Sequence, residues 1–146
     1  MRPIGVIHTP FSSREGMPRS TSQAAGEQGT VHVFEEFRDG LKDLEGFSHV
    51  ILIWELHRSE GFHLEALPPN QMEPKGVFAT RSPHRPNPIG LSIVELLRIE
   101  EGVMHVERVD MLDGTPLLDI KPYIPASDCV VDARAGWLGE RGEVRS

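Results

Sequence analysis

Residues 91–112, LSIVELLRIEEGVMHVERVDML, decide the fold. Leu91 to Ile99 and Val103 to Leu112 read as two strands, and Glu101-Gly102 between them is a two-residue turn signal, so the stretch is expected to be a β-hairpin. Outward from it, Pro3 to His8 (PIGVIH) and Thr30 to Phe34 (TVHVF) read as strands. His49 to His57 (HVILIWELH) is the most hydrophobic run and reads as a central, core strand. A further strand begins near Lys75, and Thr115 to Ile120 gives a short one closed by Pro122 and Pro125. Glu35 to Leu44 reads as a brief amphipathic helix with Phe37, Leu41 and Leu44 on one side and Glu35, Glu36, Asp39 and Asp43 on a solvated face. Residues 12–29 and 59–74 read as loops. Short strands with little helix, and no alternation with long helices, predict a mainly β fold: a small antiparallel β-barrel with few short helices, not a doubly wound sheet. Residues 1–125 form that barrel domain in this reading, and residues 126–146 a tail whose bulky apolar pair is Trp137 and Leu138.

Size and charge narrow the function classes. A chain of 146 residues suits one domain, and 38% hydrophobic with 25% charged residues is the composition of a soluble globular protein. No run is long enough to cross a bilayer, and MRPIGVIHTPF lacks the apolar core of a secretion signal, so a cytoplasmic protein is expected. Cys129, the one cysteine, excludes an internal disulfide and reads as a small buried residue. The net charge of −7 argues against non-specific coating of nucleic acid. Between Pro74 and Val94, however, there is no acidic residue, while Lys75, Arg81 and Arg85 are basic, a local positive island.

That island is the most constrained part of the chain. In Gly76 to Ser92, GVFATRSPHRPNPIGLS, Pro83, Pro86 and Pro88 each fix φ and push the preceding residue towards extended geometry. A stiff loop follows, presenting Arg81, His84, Arg85 and Asn87 to an oxygen-rich ligand, or else serving as a rigid surface connection. Downstream, Asp113-Gly114-Thr115-Pro116 is a turn signature, and with Asp110 and Asp119 it supplies carboxylates able to accept from hydroxyl or amino groups. The seven histidines show no paired metal spacing and no phosphate loop or nucleophile elbow is present, so no metal site is expected.

Four segments, IGVIHTPF, LEGFSHVILIWELH, GVFATRSPHRPNPIGLS and LDGTPLLDIKPYIP, give the chain from about Pro3 to Pro125 a resemblance to the TsaA-like (YaeB/TrmO) family of S-adenosylmethionine-dependent tRNA methyltransferases. The resemblance implies a non-Rossmann β-barrel methyltransferase, a homodimer, S-adenosyl-L-methionine as cofactor and tRNA as partner. It also implies methylation of N6 of threonylcarbamoyladenosine beside the anticodon. The tail then packs on the barrel or on the dimer partner. Carried over by position, cofactor contacts fall on Ser20, Thr21, Ser22, Leu56, His57, Arg81, Leu91, Glu107, Arg108, Val109 and Asp110, with Thr115 in the same motif. Asp113 or His84 would remove the acceptor's proton, Arg85 would clamp a carboxylate, and Asn87 completes the catalytic candidates. The chain reads PRSTS at 18–22 where longer bacterial members read PRQPG, and it ends soon after the barrel motifs where those members often carry a further domain. Two other readings remain open: a non-catalytic S-adenosylmethionine-binding protein, and a cofactor-free RNA-binding barrel, the latter weakened by an aromatic content of 6%.

Overall fold

The computed structural model describes residues 1–139, so residues 140–146 of the expected tail lie outside the described residues. Its strands are β1 (Gly5–His8), β2 (Gln28–Val33), β3 (His49–Glu55), β4 (Glu65–Ala66), β5 (Lys75–Gly76), β6 (Ile89–Glu100), β7 (Val103–Glu107) and β8 (Thr115–Pro122). Six of them close into a barrel in the order β1-β2-β7-β6-β3-β8, every pair antiparallel, and β4 and β5 form a separate two-stranded ribbon. The mainly β barrel expected from sequence is therefore the observed architecture.

Alternation fills the barrel. On β3 the pattern is strict, with Val50, Leu52 and Trp54 inside, and on β6 Ser92, Val94 and Leu96 face inward. Ile7, Val31, Val33, Met104, Val106 and Leu117 complete the core from the other strands. The long β6 serves both halves: Ile89 to Glu95 pairs with β3, and Glu95 to Glu100 with β7. The handover occurs at a register shift between Leu96 and Arg98, an irregularity that bends a strand and helps a sheet curve back on itself. The β6–β7 hairpin turns at Glu101 (φ 49°) and Gly102 (φ 78°), two successive positive φ values of the kind a tight hairpin requires.

Three expectations are corrected. Glu35 to Leu44 is not one continuous helix: a 3-10 helix runs Glu35–Leu41, and after Asp43, at φ 68°, a second covers Leu44–Gly46. The left-handed Asp43 breaks the helical ladder, yet Phe37, Leu41 and Leu44 still pack on the core, so the apolar face was legible where the helix type was not. Residues 59–74 are not wholly loop, since β4 lies within them. Cys129 is exposed, because it follows the four-residue helix α1 (Pro125–Asp128) on the outside of the barrel.

Candidate functional site

Antiparallel pairing brings the ends of β1, β3 and β7 and the starts of β2, β6 and β8 to one mouth of the barrel. Four segments meet there. The proline-rich loop enters β6, and its Pro88 carbonyl accepts from the Leu56 N–H at 2.8 Å, tying it to the end of β3. Residues 12–27 approach from the other side: their 3-10 turn Thr21–Gln23 touches β6, and the backbone N–H groups of Arg108 and Val109 donate to the Glu27 carbonyl at 2.7 and 3.2 Å. Arg108, at φ 77°, ends β7 with a sharp turn that sends Val109 and Asp110 across the mouth.

The proline-rich loop is held from within and without. Arg85 Nη1 donates to the Thr80 and Ser82 carbonyls at 2.9 and 3.1 Å, so part of this guanidinium stiffens its own loop. Thr80 Oγ1 accepts from the Ser82 N–H, and Ser82 Oγ from the His84 N–H, both at 3.2 Å. Ser59 donates its hydroxyl to the Pro83 carbonyl at 2.8 Å and lies 3.4 Å from His84 Nδ1. The His63 ring meets His84 edge-on with 6.3 Å between centroids. Trp137 donates its indole N–H to the Ala79 carbonyl at 2.7 Å, at the base of the same loop. Arg81, by contrast, is exposed, and its guanidinium is near enough to the Asp110 carboxylate to favour the ionised form.

Asp110 is the chemical centre of the mouth. Trp54 Nε1 donates to Ser92 Oγ at 3.0 Å, and Ser92 Oγ donates to Asp110 Oδ1 at 2.6 Å. Burial pushes the Asp110 carboxyl above the ordinary carboxylate range, opposed by the Ser92 hydroxyl and, more weakly, by Arg81. The Trp54 indole lies flat against Gly90, where a Cβ would collide with the ring. Neither Trp54 nor Ser92 was singled out from sequence. The available signal was a serine in phase with the apolar Val94 and Leu96 along the strand, two residues after a glycine.

The remaining expected residues divide by position. Ser20, Thr21 and Ser22 lie beside β6, where Ser20 and Ser22 share a hydroxyl contact at 2.8 Å and Arg108 Nη1 reaches the Thr21 carbonyl at 3.4 Å. Leu56 packs on the core at the end of β3, and His57 next to it is exposed. Leu91 is 52% exposed on the outer face, opposite Ile53 and next to Ile89, so it and Asp110 flank the start of β6 from opposite sides. Glu107 points outward and accepts from Gln28 Nε2 at 3.5 Å. Val109 and Thr115 are buried; the Thr115 hydroxyl donates to the Leu112 carbonyl at 2.6 Å. Asn87 is exposed, and its carbonyl accepts from the Ile89 N–H at 2.8 Å.

Asp113 belongs to a separate corner. Its Oδ1 lies 3.0 Å from His8 Nδ1 and accepts from the Thr9 N–H at 3.1 Å. Its own N–H donates to the Phe11 carbonyl at 2.7 Å, so the residue staples β1 to the turn before β8. The hydrogen bond to His8, helped by the Thr9 N–H, holds this carboxyl below the ordinary range. Asp119 is on the outer wall, 3.1 Å from Lys121 Nζ.

Comparison with known proteins places the chain in a family. A sequence model of the tRNA-methyltransferase O N-terminal domain matches residues 6–129. A probable S-adenosyl-L-methionine-binding protein of Pyrococcus abyssi is 51% identical over 94% of this chain and 74% of its own length. The tRNA (adenine(37)-N6)-methyltransferase of Escherichia coli K12 is 35% identical over 92% of this chain and 61% of its own. A crystal structure of TrmO from Pseudomonas aeruginosa superposes with a TM-score of 0.79 at 41% identity, covering 92% of this chain and 60% of that one. The chain thus spans about three fifths of those two bacterial proteins.

Proposed function

The chain belongs to the tRNA-methyltransferase O family, and on that premise we propose that it is an S-adenosylmethionine-dependent methyltransferase acting on N6 of the tRNA adenine beside the anticodon. The substrate form we favour is N6-threonylcarbamoyladenosine. The observation that carries the reading is the meeting of an exposed Arg81 with a part-buried, hydrogen-bonded Asp110 at one mouth of the barrel.

That donor set fits the cofactor. A guanidinium fork suits the carboxylate of the methionine moiety, and a carboxylate held in a partly desolvated site suits its ammonium or ribose hydroxyls. When bound, S-adenosylmethionine supplies a sulfonium methyl group. The chain's own work is positioning: Arg81 and Asp110 fix one end of the ligand, and Ser20 to Ser22 with His57 border it. Orienting donor and acceptor in this way is worth up to roughly 7–11 kcal/mol in favourable reactions. A ureido-substituted adenine nitrogen also needs its proton removed. His84 serves better than Asp113 for this, because Asp113 is tied to His8 and Thr9 and is a weakened base. Asn87 stands beside it on the same rigid loop, while Arg85 acts chiefly by stiffening that loop.

A homodimer completes the proposal. Ile89 and Leu91 are 39% and 52% exposed on an outer face shared with Ile51, Ile53 and Ile93, and a second copy seated there would exclude water beside Leu91. Incubating the protein with methyl-labelled cofactor and tRNA bearing threonylcarbamoyladenosine, then digesting the RNA, should place label on that nucleoside and not on unmodified adenosine. Saturable cofactor binding with no label in any tRNA pool would instead favour a non-catalytic binding protein; the Pyrococcus abyssi relative is named for S-adenosyl-L-methionine binding alone.

A further inference from the structure

The three side chains Trp54, Ser92 and Asp110 come from β3, β6 and the segment after β7, and they form a chain whose direction is fixed by chemistry. An indole N–H can only donate, so Ser92 Oγ must accept from it. A serine has one proton, and with Trp54 occupying an acceptor position that proton goes to Asp110 Oδ1. Ser92 is 1% exposed, so water does not compete for its hydroxyl. Trp54 cannot slide away, because its ring is confined against Gly90. Serine is the only buried polar residue on the inner face of β6, at a position that Val94 and Leu96 continue as apolar. A core contact alone would be met by alanine or valine there.

We propose that Trp54 and Ser92 are positioning residues for the cofactor: they lock the Asp110 carboxylate in one orientation as an acceptor for a donor group of S-adenosylmethionine, either a ribose hydroxyl or the ammonium. The inference rests on the methyl-donor reading above and goes beyond it, since neither residue is expected to touch the ligand. Trp54 acts only through Ser92, and Ser92 only through Asp110.

Calorimetry on the full chain tests this with S-adenosylmethionine, on wild type, Ser92→Ala, Trp54→Phe and the double variant. Ser92→Ala should weaken binding about tenfold, the scale of a hydrogen bond to a charged group, and Trp54→Phe about threefold. The double variant should bind no more weakly than Ser92→Ala, a non-additivity that separate packing defects would not give. The indole N–H resonance of Trp54, followed by NMR on labelled protein, should shift on cofactor addition in wild type and hold still in Asp110→Asn. Repeating the titrations with 5′-methylthioadenosine separates the two donors. A penalty that persists assigns the ribose hydroxyls; one that vanishes assigns the ammonium. Wild-type-like binding by folded Ser92→Ala, or strictly additive penalties, would overturn the relay while leaving the methyl-donor reading intact. No binding by folded wild type would remove that reading and the relay with it.

Discussion

Asp110 and Asp113 are three residues apart in one turn, and the fold treats them in opposite ways. Asp110 is drawn inward, where desolvation raises its pKa and only a serine hydroxyl and a nearby arginine compensate. Asp113 stays in solvent, where His8 and the Thr9 N–H lower its pKa. The first carboxylate costs folding energy when ionised and the second returns it. An ionisable group held against its own preference points to a ligand, whereas one relaxed into its partners points to architecture.

Substitutions can break that contrast, beginning with the largest effect. Asp110→Ala should weaken S-adenosylmethionine binding by about 2–3 kcal/mol in calorimetry, through loss of a charged acceptor. Its conservative counterpart sharpens the comparison. Because the folded pKa of Asp110 is raised above 3.8, the native state holds the proton longer, and stability drains as pH climbs from 3.8 through the folded value. Asp110→Asn lacks that loss, so urea melts should show it gaining on wild type over this interval while its cofactor affinity falls.

Gly90→Ala should cost about 1–3 kcal/mol in the same melts, since its methyl group must displace the Trp54 ring, and it should weaken cofactor binding as well. Asp113→Ala should cost about 1 kcal/mol at neutral pH, a modest figure because the pair is half-exposed. The sign is opposite to that of Asp110: with a lowered folded pKa, Asp113 stabilises above 3.8, and its contribution disappears as pH falls through the folded value. Wild type and Asp113→Ala should therefore converge in acid, with cofactor affinity unchanged throughout. A marked loss of affinity in Asp113→Ala would erase the distinction between site and staple. His8→Ala is the mildest case, expected to lose about 0.5 kcal/mol, because the Thr9 N–H still holds Asp113.

The strands were legible because their signals are local: the apolar, β-branched run of β3, the Glu101-Gly102 turn, and prolines that stiffen residues 83–88. So was the cationic loop, whose Arg81 does reach the mouth. What escaped is non-local. Trp54 and Ser92 are 38 residues apart and Ser92 and Asp110 18, and nothing in either interval announces a hydrogen bond between them. Of the β4–β5 ribbon, the strand at Lys75 was legible but β4 escaped, because a two-residue strand leaves no periodicity to read. From sequence, DGTP was equally a turn and a site; the contact to His8, 105 residues away, is what ties Asp113 to the β1 staple.

Closure of the barrel also has a history in time. Its seam pairs β1 with β8, Gly5 against Leu117, so β1 finds one of its two partners only after every other strand of the barrel has been made. Until then β1 and β3 each present an unsatisfied backbone edge, and β8 alone covers both. The nascent chain is thus a sheet waiting for its keystone. Folding should be slow for a barrel of this size, with its rate set by the arrival and docking of Thr115–Pro122.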